Sequence, residues 1–381
     1  MARVAVIGGG IIGSSIAYEL SKKTDYKVVL VDAGNANTVS QKSFAWINAW
    51  ATEPQVYHDF RRDACSLWKS FVEELGGNEI FAYKKKALKW ADDDRSAKFL
   101  QDSVVRLQEH GHDICEISAK DLYEMEPKLQ PESVQFAALA SDEMVVDSGR
   151  VASRCLEIAQ EKGVSLVLGK VSEISRNASG GYAIITSEGI TNCDLLVLAA
   201  GTGTPMLASK LGIDVPMVDS PGILARASPP ESVLQSTGMV QWYSSLPGKG
   251  VVSYHLKHDA NGGLVFGEGD GLFVNGEDTD AFVERQHAQW AECSNYLKGL
   301  DIKVDPLWFR PVPLDGLPIV GFSPEADNVY LAVTHSGITL APLIAKLAAQ
   351  EVKSQANSEP NLDPFRIERF HSGFPSLRTN L

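Results

Sequence analysis

Gly8, Gly10, Gly13 and Asp32 have the types and spacing to hold a phosphate-bearing ligand. They lie in VAVIGGGIIGSSIAYELSKKTDYKVVLVD, the stretch from Val4 to Asp32. Val4 to Ile7 is a short apolar run that ends in glycine, as a buried parallel strand does. Ile16, Ala17 and Leu20 then recur with helical spacing, and Val28 to Val31 is a second apolar run closed by Asp32. Gly8 permits a tight turn, Gly10 lets backbone approach a pyrophosphate, and Gly13 lets helix and strand pack closely. The helix start offers unpaired N–H groups and a partial positive charge. Asp32, 19 residues beyond Gly13, can accept hydrogen bonds from a ribose diol. With 32 glycines in the chain, a lone G-x-G-x-x-G arises by chance. The weight lies in strand, turn, helix, strand and acid following in register, and a dinucleotide site is expected.

The elements that must position this site are those of an ordinary enzyme. A chain of 381 residues predicts two or three domain-sized units. Hydrophobic content of 44% and charged content of 22% fit a globular core that needs no staples. The net charge of −13 argues against a nucleic-acid surface and an anionic membrane surface. The five cysteines, Cys65, Cys115, Cys155, Cys193 and Cys293, are scattered without a C-x-x-C. Buried free thiols in a reducing compartment are expected, and no metal site. No signal peptide or membrane-spanning helix is read, so a cytoplasmic location is expected.

Along the chain, a polar loop at 33–38 leads to Ser40–Trp50, which reads equally as a cofactor-lining loop or as a core loop anchored by Trp46 and Trp50. Helices are predicted at Tyr57–Leu75, Asp94–His110, Lys120–Glu126 and Arg150–Lys162, each stopped by glycine or proline. Strands are predicted at Ile80–Trp90, Val134–Ala140, Val164–Leu168, Val171–Ile174 and Tyr182–Thr186. Lys84, Lys85 and Lys86 read as a solvated face. Leu195–Ala200 is a second buried strand ending at a glycine, Gly201, and is expected to return to the first sheet. From Val218 to Asp270 four candidate strands predict a mainly antiparallel sheet whose face could roof a ligand. Helices follow at Thr279–Leu297 and Ile338–Ser354, with a polar tail after Pro360.

Three stretches together carry a family resemblance: VAVIGGGIIGSSIAYEL with VDAG, LLVLAAGTGTPML, and FRPVPLDGLPIVG followed by THSGITLAPLIAKLAAQEV. The chain resembles the D-amino-acid oxidase family of FAD-dependent oxidoreductases, with glycine oxidase, sarcosine oxidase and D-amino-acid dehydrogenases among its members. The resemblance implies an α/β architecture with a Rossmann-like FAD-binding domain built from discontinuous segments (1–82, 143–217 and 306–365). An α+β substrate domain with a mainly antiparallel sheet would use 83–142 and 218–305, leaving 366–381 as a tail. It implies that Gly8, Gly10, Ile11, Ile12 and Gly13 hold the FAD pyrophosphate and that Asp32 and Ala33 flank the ribose. Ser40, Ser43, Phe44 and Ala45 would pass the pyrophosphate and flavin edge, and Val171 would touch the adenine. Ala200 and Gly201 would form the second cofactor turn. Ser336, Gly337, Ile338, Thr339 and Leu340 would start the helix that faces the flavin's pyrimidine end.

The resemblance also implies that Arg310 binds a substrate carboxylate, and arginine's planar fork suits that task. A structural ion pair is the alternative for Arg310. A helix start at Gly337 would stabilise negative charge on a flavin, or be a plain capped helix. His335 could line the flavin or be structural. Tyr254 could hold the carboxylate or be a core aromatic, because strand alternation sets Tyr254 and Leu256 against His255 and Lys257 without saying which pair faces inward. Val265 stands where sarcosine oxidases would carry an oxygen-activating lysine, which leaves the electron acceptor open between oxygen and a quinone or other acceptor. The C-terminal flavin motif has no cysteine and no histidine follows the Ser40 loop, so FAD is expected to bind without a covalent bond.

The expected reaction is oxidation of the C–N bond of an amino acid (a D-amino acid, glycine or an N-alkyl amino acid) to an imine by hydride transfer to flavin N5, the imine then hydrolysing. Alternatives are an FAD oxidoreductase of a non-carboxylated amine or a 2-hydroxy acid, a flavin subunit of a larger electron-transfer complex, and an NAD-binding protein. Oligomeric state is not legible.

Overall fold

In the computed structural model Val4, Ala5 and Val6 are fully buried at the centre of a six-stranded sheet. The structure describes residues 1–22, 26–34, 38–77, 81, 83–246, 248, 250–268 and 279–371. The expected loop residues 35–37, the start of the strand expected from Ile80, and residues 372–381 of the tail lie outside them.

In chain order, β1 (Ala2–Ile7), α1 (Ile11–Ser21) and β2 (Tyr26–Asp32) form the opening unit. β3 (Trp46–Ile47), α2 (Gln55–Glu74), β4 (Lys84–Ala91), α3 (Asp94–Glu109), β5 (Ile114–Ile117), α4 (Ala119–Met125) and β6 (Phe136–Val145) follow. α5 (Ser148–Glu161) and β7 (Ser165–Leu168) lead into β8 (Glu173–Arg176), β9 (Tyr182–Thr186) and β10 (Gly189–Cys193). Next come β11 (Leu195–Leu198), α6 (Thr204–Ser209), β12 (Met217–Gly222), β13 (Ala225–Ala227), β14 (Met239–Leu246), β15 (Gly250–His258) and β16 (Leu264–Glu268). α7 (Thr279–Cys293), β17 (Lys303–Val304), β18 (Trp308–Pro313), β19 (Ile319–Phe322), β20 (Val329–Val333) and α8 (Gly337–Ser354) complete the chain.

The first sheet has the order β19-β20-β11-β1-β2-β7 and is parallel except for β19. Alternation along β1 explains its two cores. Val4 and Val6 pack with the helices α1, α5 and α8, while Ala5 and Ile7 pack with the three-stranded β8–β10 sheet. Both faces are covered, so the strand reads as a continuous apolar run. The carboxyl ends of β1, β2, β11 and β20 therefore open on one edge, where an open α/β sheet binds its ligand.

The second sheet runs β17-β13-β16-β15-β14-β4-β6-β3, with β5 beside β6, and only β4–β14 pair in parallel. Its outer face buries Trp90, Trp242, Tyr254 and Phe266 against Trp290 of α7. Its inner face looks toward the carboxyl edge of the first sheet. A two-stranded arm, β12 with β18, runs between them. All six strands of the first sheet fall within 1–82, 143–217 and 306–365, but β3 crosses over, pairing Trp46 with Val145 in the second.

Four details differ from the sequence expectations. The strand expected at Val171–Ile174 is displaced to Glu173–Arg176, which leaves Val171 in the connecting loop. The strands β3, β5, β10, β12, β17, β18 and β19 are additional. Cys115 is exposed rather than buried. The tail does not begin at 366: Pro360–Phe365 and Ile367–Phe370 form 3-10 turns. Arg366 is buried there and donates to Glu351 at 2.8 and 2.6 Å. Glu351 also accepts from Tyr330 at 2.9 Å, so the segment is fastened to α8 and the sheet by a buried ion pair. Among the described residues, no helix is long and apolar enough to cross a membrane, and no cluster of three or more His, Cys, Asp or Glu could hold a metal ion.

Candidate active site

A cavity of about 1250 Å³ lies between the carboxyl edge of the first sheet and the inner face of the second. One end is made by backbone. β1 stops at Gly8, whose φ of +112° suits glycine and whose N–H donates to Val31 at 2.9 Å. A side chain at Gly8 would also strike Ala199 and Ala200. Helix α1 starts at Ile11 without a side-chain cap on Gly10, and Ile11 N–H donates to Ser40 Oγ at 2.9 Å. Gly13 does not line the cavity. A Cβ there would overlap the Gly8 carbonyl, so its lack of a side chain lets helix and strand touch. Asp32 accepts from Gly9 N–H at 2.7 Å and Gly34 N–H at 2.8 Å, which fixes the glycine turn.

The second turn, Ala199 to Gly203, and Val171 line the same end. The start of α8 lies beside that of α1, Gly337 facing the Ile12 side chain. Ser336, Gly337, Ile338 and Thr339 line the cavity, with no side-chain cap on the helix. Tyr57 donates to Ser336 Oγ at 2.9 Å and Trp68 to the Thr339 carbonyl at 3.0 Å, which hold this start in place. Two helix starts whose N-cap side chains make no cap thus line one cavity, a donor set suited to a pyrophosphate at one and an electron-rich ring edge at the other. These residues fit FAD.

The structure brings Gly8, Gly10, Ile11, Ile12, Asp32, Ala33, Ser40, Ser43, Phe44, Ala45, Val171, Ala200, Gly201, Ser336, Gly337, Ile338 and Thr339 to the wall of this cavity, with Arg310 and His335. Leu340 is buried in the core one residue beyond the wall. Tyr254 is a correction: it does not line the cavity. Its ring packs 5.2 Å from Trp242 on the outer face, and burial, with Glu268 nearby, pushes its hydroxyl up to about 12. The aromatic core beneath α7 claims the Tyr254 face of β15, so Ser253 and His255 face the cavity instead.

The rest of the cavity has an aromatic and polar lining. Arg310 comes from β18, opposite Ser220 of β12, with its guanidinium 5.6 Å from the Trp308 ring. Trp46, Trp50 and Tyr243 form a wall, with Trp50 and Tyr243 stacked at 6.5 Å. Phe99 and Arg106 of α3 stand at the mouth. Asn48 is clamped by buried Arg61, which donates to its carbonyl at 3.1 and 2.9 Å and to its Oδ1 at 2.7 Å.

Sequence reasoning missed Asn48, Arg61, Gln241, Tyr243, Ser253 and His255. The only local signal was that β14 and β15 alternate Gln241 and His255 with Trp242 and Leu256. Behind the wall, Lys89 and Glu143 form a fully buried ion pair at 2.9 Å. Burial pulls the Lys89 ammonium down and pushes the Glu143 carboxyl up, while each partner opposes the other's shift.

Residues 3–351 match the family described as FAD dependent oxidoreductase (DAO). The chain is 23% identical to glycine oxidase of Geobacillus kaustophilus (strain HTA426) over 387 residues, covering 96% of each. It is 25% identical to 4-methylaminobutanoate oxidase (formaldehyde-forming) of Paenarthrobacter nicotinovorans, over 92% of this chain and 44% of that protein. The fold is also that of iminodiacetate oxidase from Chelativorans sp. BNC1, with a TM-score of 0.79 at 21% identity over 96% of this chain and 98% of that one. The match spans the glycine turn, the second cofactor turn, Arg310 and the α8 start, and the chain belongs to the DAO family of FAD-dependent oxidoreductases.

Proposed function

We propose that this enzyme oxidises the C–N bond of a small carboxylated amine: glycine, a D-amino acid or an N-alkyl amino acid. The observation that carries the reading is the position of Arg310. The β12–β18 arm delivers it to the same cavity as the Gly8 turn and the Gly337 helix start, a cavity that Trp46, Trp50 and Tyr243 also line. Bound FAD supplies the two-electron acceptor. Arg310 holds the carboxylate bidentately, which sets the amine carbon in a fixed orientation. The aromatic wall excludes water and accepts a short alkyl group on carbon or nitrogen. The neutral amine loses a hydride, two electrons and one proton, to become an iminium, which sheds a second proton as the imine. Water then releases a keto acid and ammonia or an amine.

The names of relatives that act on glycine, a methylamino acid and iminodiacetate support a carboxylated amine as the class. The division into a cofactor unit (1–82, 143–217 and 306–365) and a substrate unit (83–142 and 218–305) belongs to this same reading, with β3 tying the two together.

The test is Arg310→Met. A charge-assisted bidentate contact is worth about 1.5–3 kcal/mol, which is roughly a 10- to 100-fold loss of affinity. The apparent Kd for a carboxylated amine, read by anaerobic flavin bleaching, should rise by that factor, while the methyl ester of the same amine should be little affected. An unchanged Kd for the carboxylate would sink the reading.

A further inference from the structure

We propose that His255 is a substrate-facing group held as a neutral imidazole by a buried relay, Glu143–Lys89–Gln241. The relay keeps the cavity roof uncharged where the amine is oxidised. The proposal rests on the amine-oxidation reading above.

Register sets the relay. Lys89, Gln241, His255 and Gly267 lie side by side on β4, β14, β15 and β16. Direct cross-strand neighbours share a face, here the face toward the cavity. Gln241, His255 and Gly267 line it, and Lys89 is buried one strand further in. Lys89 Nζ lies 2.9 Å from Glu143 Oε2 and 2.8 Å from Gln241 Oε1. It also sits 4.7 Å from the Trp46 ring and 4.5 Å from the Trp50 ring. Burial pulls the Lys89 ammonium down, the Glu143 carboxylate and two aromatic faces oppose that shift, and in this proposal Lys89 is the ammonium.

The hydrogen-bond inventory then fixes the next two groups. An ammonium has donors and no acceptor, so Gln241 must show it the carbonyl oxygen. The Gln241 amide NH2 therefore faces His255 Nε2, 2.8 Å away. An NH2 group only donates, so Nε2 must be bare and accept. Ser253 Oγ, 3.1 Å from the same nitrogen, donates in the same sense. The single proton of the neutral ring is then on Nδ1. A proton on Nε2 would set N–H against N–H, and Gln241 cannot turn without setting its NH2 against the Lys89 ammonium.

Among the described residues, the cations Lys257 and Arg310 act in the same direction. Lys257 lies two residues along β15 with its ammonium on the Val146 carbonyl at 2.9 Å, and Arg310 lines the same cavity. Both oppose a positive charge on His255. Of the acids, Glu143 is engaged by Lys89 and Trp46, and Glu268 of β16 by Arg285 at 2.8 and 3.0 Å. Tyr243 of β14 is held protonated by burial, and His335 faces from the α8 turn. The His255 ring packs edge-on to Phe44 at 5.6 Å and Trp46 at 5.5 Å, which fixes its plane. Oxidation of an amine to an imine builds positive charge on the C–N unit. A neutral roof does not oppose that charge, and an imidazolium would.

The test uses holoenzyme labelled with 15N-histidine, with the His255 signals assigned by their loss in His255→Gln. Between pH about 5.5 and about 8.5, where an ordinary histidine titrates, His255 should keep a bare Nε2 and a protonated Nδ1. Titration of His255 in that range, or a proton on Nε2, overturns the proposal. In Lys89→Met/Glu143→Gln both ions go together, so neither buried charge is stranded, and Gln241 is free to turn. His255 should then titrate. The ratio of variant to wild-type flavin-reduction rates, with one substrate so that its own ionisation cancels, should fall at least about tenfold toward the acid end. A flat ratio overturns the functional part. If the double variant does not fold, the wild-type titration decides alone. The nitrogen signals need no turnover, so an enzyme that oxidises no amine but keeps the bare Nε2 would overturn the proposed function and leave the lock standing.

Discussion

Replacing Gly13 by alanine tests the physical basis of the cofactor site. The added Cβ would overlap the Gly8 carbonyl, 3.1 Å from its carbon and nearer its oxygen, and 3.3 Å from Ala199 Cβ. Ordinary C···O separations are roughly 3.3 Å or more, so helix and turn must part by about 1 Å. The obstructing atoms are backbone at the start of the glycine turn, and no flexible side chain can give way. Overpacking of this kind costs about 1–3 kcal/mol, and a backbone clash belongs at the upper end. The turn that must move is the one whose N–H groups face the cavity, so the strain falls on the holo state. At roughly 1.4 kcal/mol per tenfold, FAD affinity should drop about 100-fold. Gly203→Ala is the control, because its methyl meets nothing closer than Ala200 Cβ at 3.7 Å. It also lines the cavity, yet its Kd should change less than about threefold. The assay is FAD titration of apoprotein by flavin fluorescence. If Gly13→Ala binds FAD as tightly as Gly203→Ala, close helix–strand packing is not what the motif provides.

Three further outcomes follow from buried charge. Glu351→Ala strands Arg366 in a buried site and should destabilise by about 3–5 kcal/mol, read as a lower urea midpoint, while Glu351→Gln should recover part of the loss. Burial lowers Lys257 from 10.5 to about 8, so between those values the unfolded chain binds more protons than the folded one. Stability attributable to Lys257 should therefore rise from pH about 8 to about 10.5, by on the order of 3 kcal/mol, in wild type relative to Lys257→Met. A difference that falls with pH would contradict that burial. Arg366→Lys should not rescue the pair with Glu351, because a single ammonium cannot reproduce the two guanidinium contacts at 2.8 and 2.6 Å.

The sequence was most legible where local backbone geometry sets the residue. Gly8 and Gly13 are required by a turn and a close approach within one strand–helix unit, and they read directly. Leu195–Leu198 read as a return to the first sheet because both its faces are buried, and it pairs with β1. The Arg310 and Gly337 stretches read through family likeness, and the structure brings both to the cavity that the Gly8 turn lines.

The roof was not legible. Which face of β15 points inward depends on α7 and on Trp90 and Trp242, which claim Tyr254 for the outer core. That competition is between elements far apart in sequence. Lys89 was equally hidden. It follows three exposed lysines and differs from them only through partners 54 and 152 residues away, Glu143 and Gln241. Arg366 read as tail for the same reason: its burial depends on Glu351 and on the Val320 carbonyl, not on its neighbours.

The central claim is that a carboxylated amine delivers its electrons to FAD in the cavity beneath β14 and β15. Anaerobic titration of the holoenzyme with glycine, D-amino acids and N-methyl amino acids tests it most directly. The account predicts that at least one bleaches the oxidised flavin spectrum, with one keto acid and one amine or ammonia released per flavin. Full bleaching by a 2-hydroxy acid or a non-carboxylated amine, with no response to any carboxylated amine, would contradict it.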